Sequence, residues 1–112
     1  MIVHNLKIQY VYAKKVASGI KTFELRKDDR NFREGDYIAF EVIDCPQCMI
    51  SQKEAEEIDE TKEIMDNHLY KIDYKLKGCG FGLDDDYCIL SIKPVPFVPV
   101  EKSTGIIIEE IK

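Results

Sequence analysis

The sequence predicts an α+β fold: a small mixed β-barrel of five to six short strands, with one N-terminal helix and one inserted peripheral helix. Three observations point there. Short runs rich in β-branched and aromatic residues recur along the chain, separated by turn residues. Helical spacing of apolar residues occurs in only two places. The 112 residues suffice for one hydrophobic core, so residues 1–112 are read as a single domain.

His4 to Gln9 opens the chain as a strand, with Leu6 and Ile8 on one face. Val11, Ala13, Val16 and Ala17 then form a helical stripe between Tyr10 and Ser18, with Lys14 and Lys15 on the wet side. Gly19 follows in the position that ends a helix. Thr22 to Arg26 alternates as a strand, with Phe23 and Leu25 expected inward and Thr22, Glu24 and Arg26 outward. Asp28 to Asp36 is a polar loop, and Tyr37 to Ile43 is a strong strand.

Residues 44–67 read as an insertion made of a loop and a helix. Ser51 and Glu54 have the spacing of a capping box, and Ala55, Ile58, Thr61, Ile64 and Met65 give the helix a thin apolar stripe. Leu69 to Leu76 and Tyr87 to Ile92 are further strands. Gly78 to Gly82 is a glycine-rich turn between them; it lacks the lysine and hydroxyl residue that finish a phosphate loop. Pro94, Pro96 and Pro99 require an extended segment at a sheet edge, and Gly105 to Ile111 reads as a last strand.

Charge is unevenly placed. The formal net charge is −5, yet residues 1–35 carry +4 and the remainder −9. Such a chain does not attract nucleic acid by its overall charge, but its basic third can form a local cationic face. No apolar run is long enough to span a membrane, and the first residues lack a secretory core, so a cytoplasmic location is expected. Cys45 and Cys48 form one Cys-x2-Cys hook. The second hook of a four-thiolate zinc site is missing, because eight residues separate Cys79 from Cys88. Free thiols are therefore expected, with Cys45 and Cys48 as weak metal candidates, and no cofactor is called for.

The most informative run is Ser18-Gly19-Ile20-Lys21-Thr22-Phe23-Glu24-Leu25-Arg26-Lys27-Asp28-Asp29-Arg30-Asn31-Phe32, then Gly35-Asp36, preceded by His4-Asn5-Leu6-Lys7-Ile8. Together these resemble the ASCH-like members of the PUA superfamily. More narrowly, they resemble a domain-of-unknown-function branch common in bacteria and their phages. The likeness is close over roughly the first 44 residues and returns at Tyr70 to Leu76 and Tyr87 to Lys93. It implies a compact PUA-like barrel and RNA or nucleotide recognition.

The residues alone place Lys21 at a helix-to-strand turn and Glu24 and Arg26 on one strand face, so these three can converge near the barrel mouth. His4, Lys7, Lys21, Glu24, Arg26 and Arg30 are the candidate ligand-binding residues. Lys14 and Lys15 are further phosphate contacts, and Phe32 or Tyr37 would stack on a base. The competing structural reading is an ion-pair lattice in which Arg26 and Arg30 pair with Asp28, Asp29 and Asp36 and tie down the loop.

Two other functions are open at this point. Some small ASCH-type proteins resemble amidohydrolases acting on acylated cytidine. Lys21 matches their lysine, but Glu24 stands where they have threonine, and their distant glutamate has no counterpart. No catalytic residue is assigned on this basis; Lys21 and Glu24 would be the pair if the protein were an enzyme, with Glu24 a general base. The acidic stretch Glu54 to Asp66 could instead serve a phage or bacterial accessory protein as a partner surface.

Overall fold

The computed structural model describes residues 2–45, 50–78, 80 and 82–96. The elements run β1 (Val3–Gln9), α1 (Tyr10–Ala17), β2 (Phe23–Lys27), β3 (Tyr37–Ile43), α2 (Gln52–Asp66), β4 (His68–Lys77) and β5 (Tyr87–Pro96). The five strands form one curled sheet, a half-barrel, in the order β1-β3-β4-β5-β2. The expected α+β class, two helices and barrel-like curvature are present, with five strands in the described sheet. The further strand expected at Gly105 to Ile111 lies outside the described residues.

β1 and β3 pair in parallel, and the other ladders are antiparallel. The chain therefore leaves β1 at one end of the sheet, crosses through α1, and lays β2 at the opposite end before returning to β3. Curling brings those two ends towards each other. The register of β4 on β5 slips between Ile72 and Tyr74, a bulge that increases local twist.

α1 begins without a side-chain cap and ends at Ser18, with Gly19 at φ +82° donating its amide to the Val16 carbonyl. That left-handed turn suits glycine and delivers Lys21 to the start of β2. α2 starts as its sequence predicts: the Glu54 amide donates to Ser51 Oγ at 3.1 Å. Ile58, Thr61 and Met65 are its buried residues. Ala13 and Val16 of α1 and Met65 of α2 meet Leu6, Ile8, Ile38, Phe40, Tyr70, Ile72, Leu90 and Ile92 on the concave face. A smaller cluster of Val3, Tyr37, Ala39 and Leu69 lies on the opposite face.

β2 corrects the sequence expectation. Its position is as predicted, but its faces are reversed: Glu24 is 4% exposed, while Phe23 is 49% and Leu25 54% exposed. Phe23 pairs with Ser91 and Leu25 with Ile89, beside Tyr74 and Leu76 of β4, so these apolar side chains share the convex face. The buried face of β2 is polar because it borders the open side of the half-barrel, where Lys21 and Arg26 satisfy the Glu24 carboxylate.

Gly78, Gly80 and Gly82 lie between β4 and β5. A Cβ on Gly78 would sit 1.6 Å from the Asp84 carbonyl oxygen, so only glycine fits there. Pro94 and Pro96 stay in the β5 ladder, paired with Tyr70 and His68, beyond the stretch Tyr87 to Ser91 that β2 covers. A proline's missing N–H is tolerated on such a one-sided segment. Among the described residues no helix is long and apolar enough to cross a membrane.

Candidate functional site at the seam between β1 and β2

Two arginines bridge the two ends of the sheet. Arg26 Nη2 donates to the Lys7 carbonyl at 2.8 Å, and Arg30 Nη1 donates to the Asn5 carbonyl at 2.9 Å. Asn5 and Lys7 are two apart in β1, so their carbonyls point to the same edge. Side-chain donors thus occupy a sheet edge that carries no backbone ladder on this side in the described sheet.

Arg26 is held from behind. Its Nε donates to Glu24 Oε2 at 2.9 Å, and Lys21 Nζ donates to Glu24 Oε1. Lys21 Nζ also donates to the Phe23 carbonyl at 2.6 Å. Both oxygens of the buried carboxylate face a cation, and the three side chains together keep one net positive charge. The predicted convergence of Lys21, Glu24 and Arg26 is therefore present.

Two cavities open along this seam. The larger, about 970 Å³, is lined by Lys7, Arg26, Lys27, Arg30 and Lys62, by the acids Asp29, Glu41 and Asp66, and by Asn5, Leu6, Phe32, Ala39, Phe40 and Val42. The smaller, about 480 Å³, is lined by Lys7, Lys21, Glu24 and Arg26 together with Ile8, Gln9, Tyr12, Phe23 and Leu25. Lys7 and Arg26 belong to both. Lys21 Nζ sits 5.0 Å from the Phe23 ring centroid and 5.8 Å from that of Tyr12, so the smaller cavity combines a cation with two half-exposed aromatic rings.

Five of the six sequence candidates meet at the seam, and His4 does not. It lies buried on the concave face, where its Nε2 is 2.9 Å from Asp36 Oδ2 and its ring packs against Phe32 at 4.8 Å. The Ile2 amide also donates to Asp36, so this pair ties the start of the chain to β3. The two aromatics expected to stack on a base are closed off: Phe32 is 2% and Tyr37 1% exposed. Lys14 and Lys15 lie on α1 and line neither cavity, and Lys14 approaches Glu57 at 3.9 Å.

The ion-pair lattice expected from the loop also takes another form. Asp28 pairs with Lys75 at 2.9 Å, Asp36 pairs with His4, and Arg26 pairs with Glu24. Sequence reasoning missed Tyr12, Lys27 and Lys62. Tyr12 did carry a signal: it is a large aromatic residue that falls off the apolar stripe of α1.

The thiols separate by environment. Cys88 is fully buried in the core, and burial together with the nearby Asp28 and Asp29 carboxylates pushes its thiol up, against a smaller opposing effect of Lys75. Cys45 is half-buried, while Cys48 and Cys79 lie outside the described residues. Among the described residues no three His, Cys, Asp or Glu side chains are grouped to hold a metal ion.

No curated protein matches the chain. One family model does, over residues 3–92, a span running from β1 through most of β5 and including every seam residue named above. The chain belongs to that family, described as a domain of unknown function (DUF3850).

Proposed function

We propose that this domain is an RNA- or nucleotide-binding module of the ASCH-like, PUA-like kind, and that its ligand lies along the seam between β1 and β2. The observation that carries the reading is the placement of cations and open aromatic faces along one seam. Lys7, Lys21, Arg26 and Arg30 offer donors to phosphate oxygens, and Tyr12 and Phe23 offer π-faces to a base. The domain's acidic balance confines binding to this local cationic strip, so affinity is salt-sensitive.

The same geometry gives Glu24 the role of counter-ion: Lys21 donates to one of its carboxylate oxygens and Arg26 to the other. Binding, not hydrolysis, is therefore the reading it favours. Titration with short single-stranded RNA and with free nucleotides at low salt tests it. Saturable binding that Arg26→Ala weakens is the expected result, and no affinity for any of these ligands overturns it.

A further inference from the structure

We infer that the seam reads at least two consecutive nucleotides of a single strand, with a base in the smaller cavity and the following backbone in the larger. This inference rests on the nucleotide-binding reading above and specifies its ligand. Pockets that enclose one small ligand span roughly 300–1,000 Å³. The larger cavity alone is near that upper bound at about 970 Å³, and a second of about 480 Å³ shares Lys7 and Arg26 with it. A single nucleotide leaves much of this space unfilled.

The two cavities also differ in chemistry. Open aromatic rings, Tyr12 and Phe23, occur in the smaller one; in the larger, Phe32 and Phe40 are buried in the core. Stacking is therefore available at one end only. Phosphate donors continue beyond it, from Arg26 at the junction to Arg30 further along the seam. A base on Phe23 places its phosphate at the junction and directs the next one towards Arg30. A base stacked inside a duplex does not present its face to Phe23, so the ligand is single-stranded.

The test compares uridine 5′-monophosphate, a hexauridylate, a hexathymidylate and a fully paired RNA hairpin, by calorimetry and fluorescence anisotropy on the full chain. The hexamers are expected to bind at least about tenfold tighter than the monophosphate, with a steeper salt dependence, and the hairpin more weakly than either hexamer. Phe23→Ala weakens the monophosphate and the hexamers alike, by about tenfold. Arg30→Ala reduces the ratio between hexamer and monophosphate. Circular dichroism and a thermal melt confirm that both variants are folded, and Arg30→Lys, which keeps the charge, restores part of the ratio.

Equal affinity for monophosphate and hexamer overturns this inference while leaving the nucleotide-binding reading intact. So does a hairpin that binds as tightly as the hexamers. Failure of all four ligands overturns the nucleotide-binding reading itself. The two hexamers separate RNA from DNA as the source of the strand.

Discussion

Arg26 lies between two groups that no other described side chain joins: Nη2 donates to the Lys7 carbonyl on β1, and Nε donates to the Glu24 carboxylate on its own strand. One guanidinium thus fixes the width of the seam and holds the buried acid. A lysine cannot do both, because its single nitrogen lacks the planar fork. Arg26→Lys and Arg26→Ala are each expected to lower stability, by about 1–3 kcal/mol for the alanine variant and less for the lysine variant. Urea denaturation measures both. Equal stability of the alanine variant and the wild type would show that the bridge contributes nothing.

Glu24→Gln separates stability from binding. The amide keeps the shape but leaves Lys21 and Arg26 without their shared counter-charge. Stability is expected to fall by about 1–3 kcal/mol, while affinity for an anionic strand at low salt rises. Chemical denaturation and anisotropy on one preparation check both signs. A fall in affinity without a fall in stability would give Glu24 a direct contact with ligand.

The His4–Asp36 contact is read as architectural. Asp36→Ala leaves a buried imidazole and the Ile2 amide without their acceptor. Its cost is about 1–3 kcal/mol of stability, with ligand affinity retained in the folded fraction. A variant of wild-type stability that no longer binds would move this pair into the binding site.

Alkaline pH acts through Tyr70. Burial pushes its hydroxyl up to about 12 from the ordinary value of 10.0. Between those values the unfolded chain loses the proton while the folded one keeps it, so the folded state binds more protons and stability falls as pH rises. The buried Cys88 thiol, also pushed up, acts in the same direction from a lower pH. Thermal melts across that range should show a falling midpoint, and Tyr70→Phe should flatten the fall. Tyr70 donates to Met65 Sδ at 3.4 Å, a weak bond whose loss in the phenylalanine variant has little effect at neutral pH.

Much of the fold was legible locally. The Ser51–Glu54 cap, the Gly19 turn and the strand runs each announce themselves within a few residues. Lys21, Glu24 and Arg26 also converge as their spacing implies, because a turn and the strand after it position them. The seam was not legible. It depends on strand order, which places β1 and β2 at opposite ends of the sheet, and nothing near Asn5 or Lys7 names Arg30 as their neighbour. The faces of β2 were misread for a related reason. Phe23 and Leu25 look like core residues by hydropathy, but at the open side of a half-barrel the inward position is the polar one. Phe32 shows the converse: it lies in a polar loop, yet it packs into the core beside His4.

The central claim is that the seam cations engage a nucleic-acid backbone. Its most direct measurement is the salt dependence of hexauridylate affinity for the wild type and for a Lys7→Ala/Arg30→Ala variant. Affinity that falls as salt is raised from low ionic strength is the predicted result, with a slope shallower in the variant by about 0.7 for each phosphate it no longer neutralises. A slope identical in the two proteins, or no binding at the lowest salt, would contradict it.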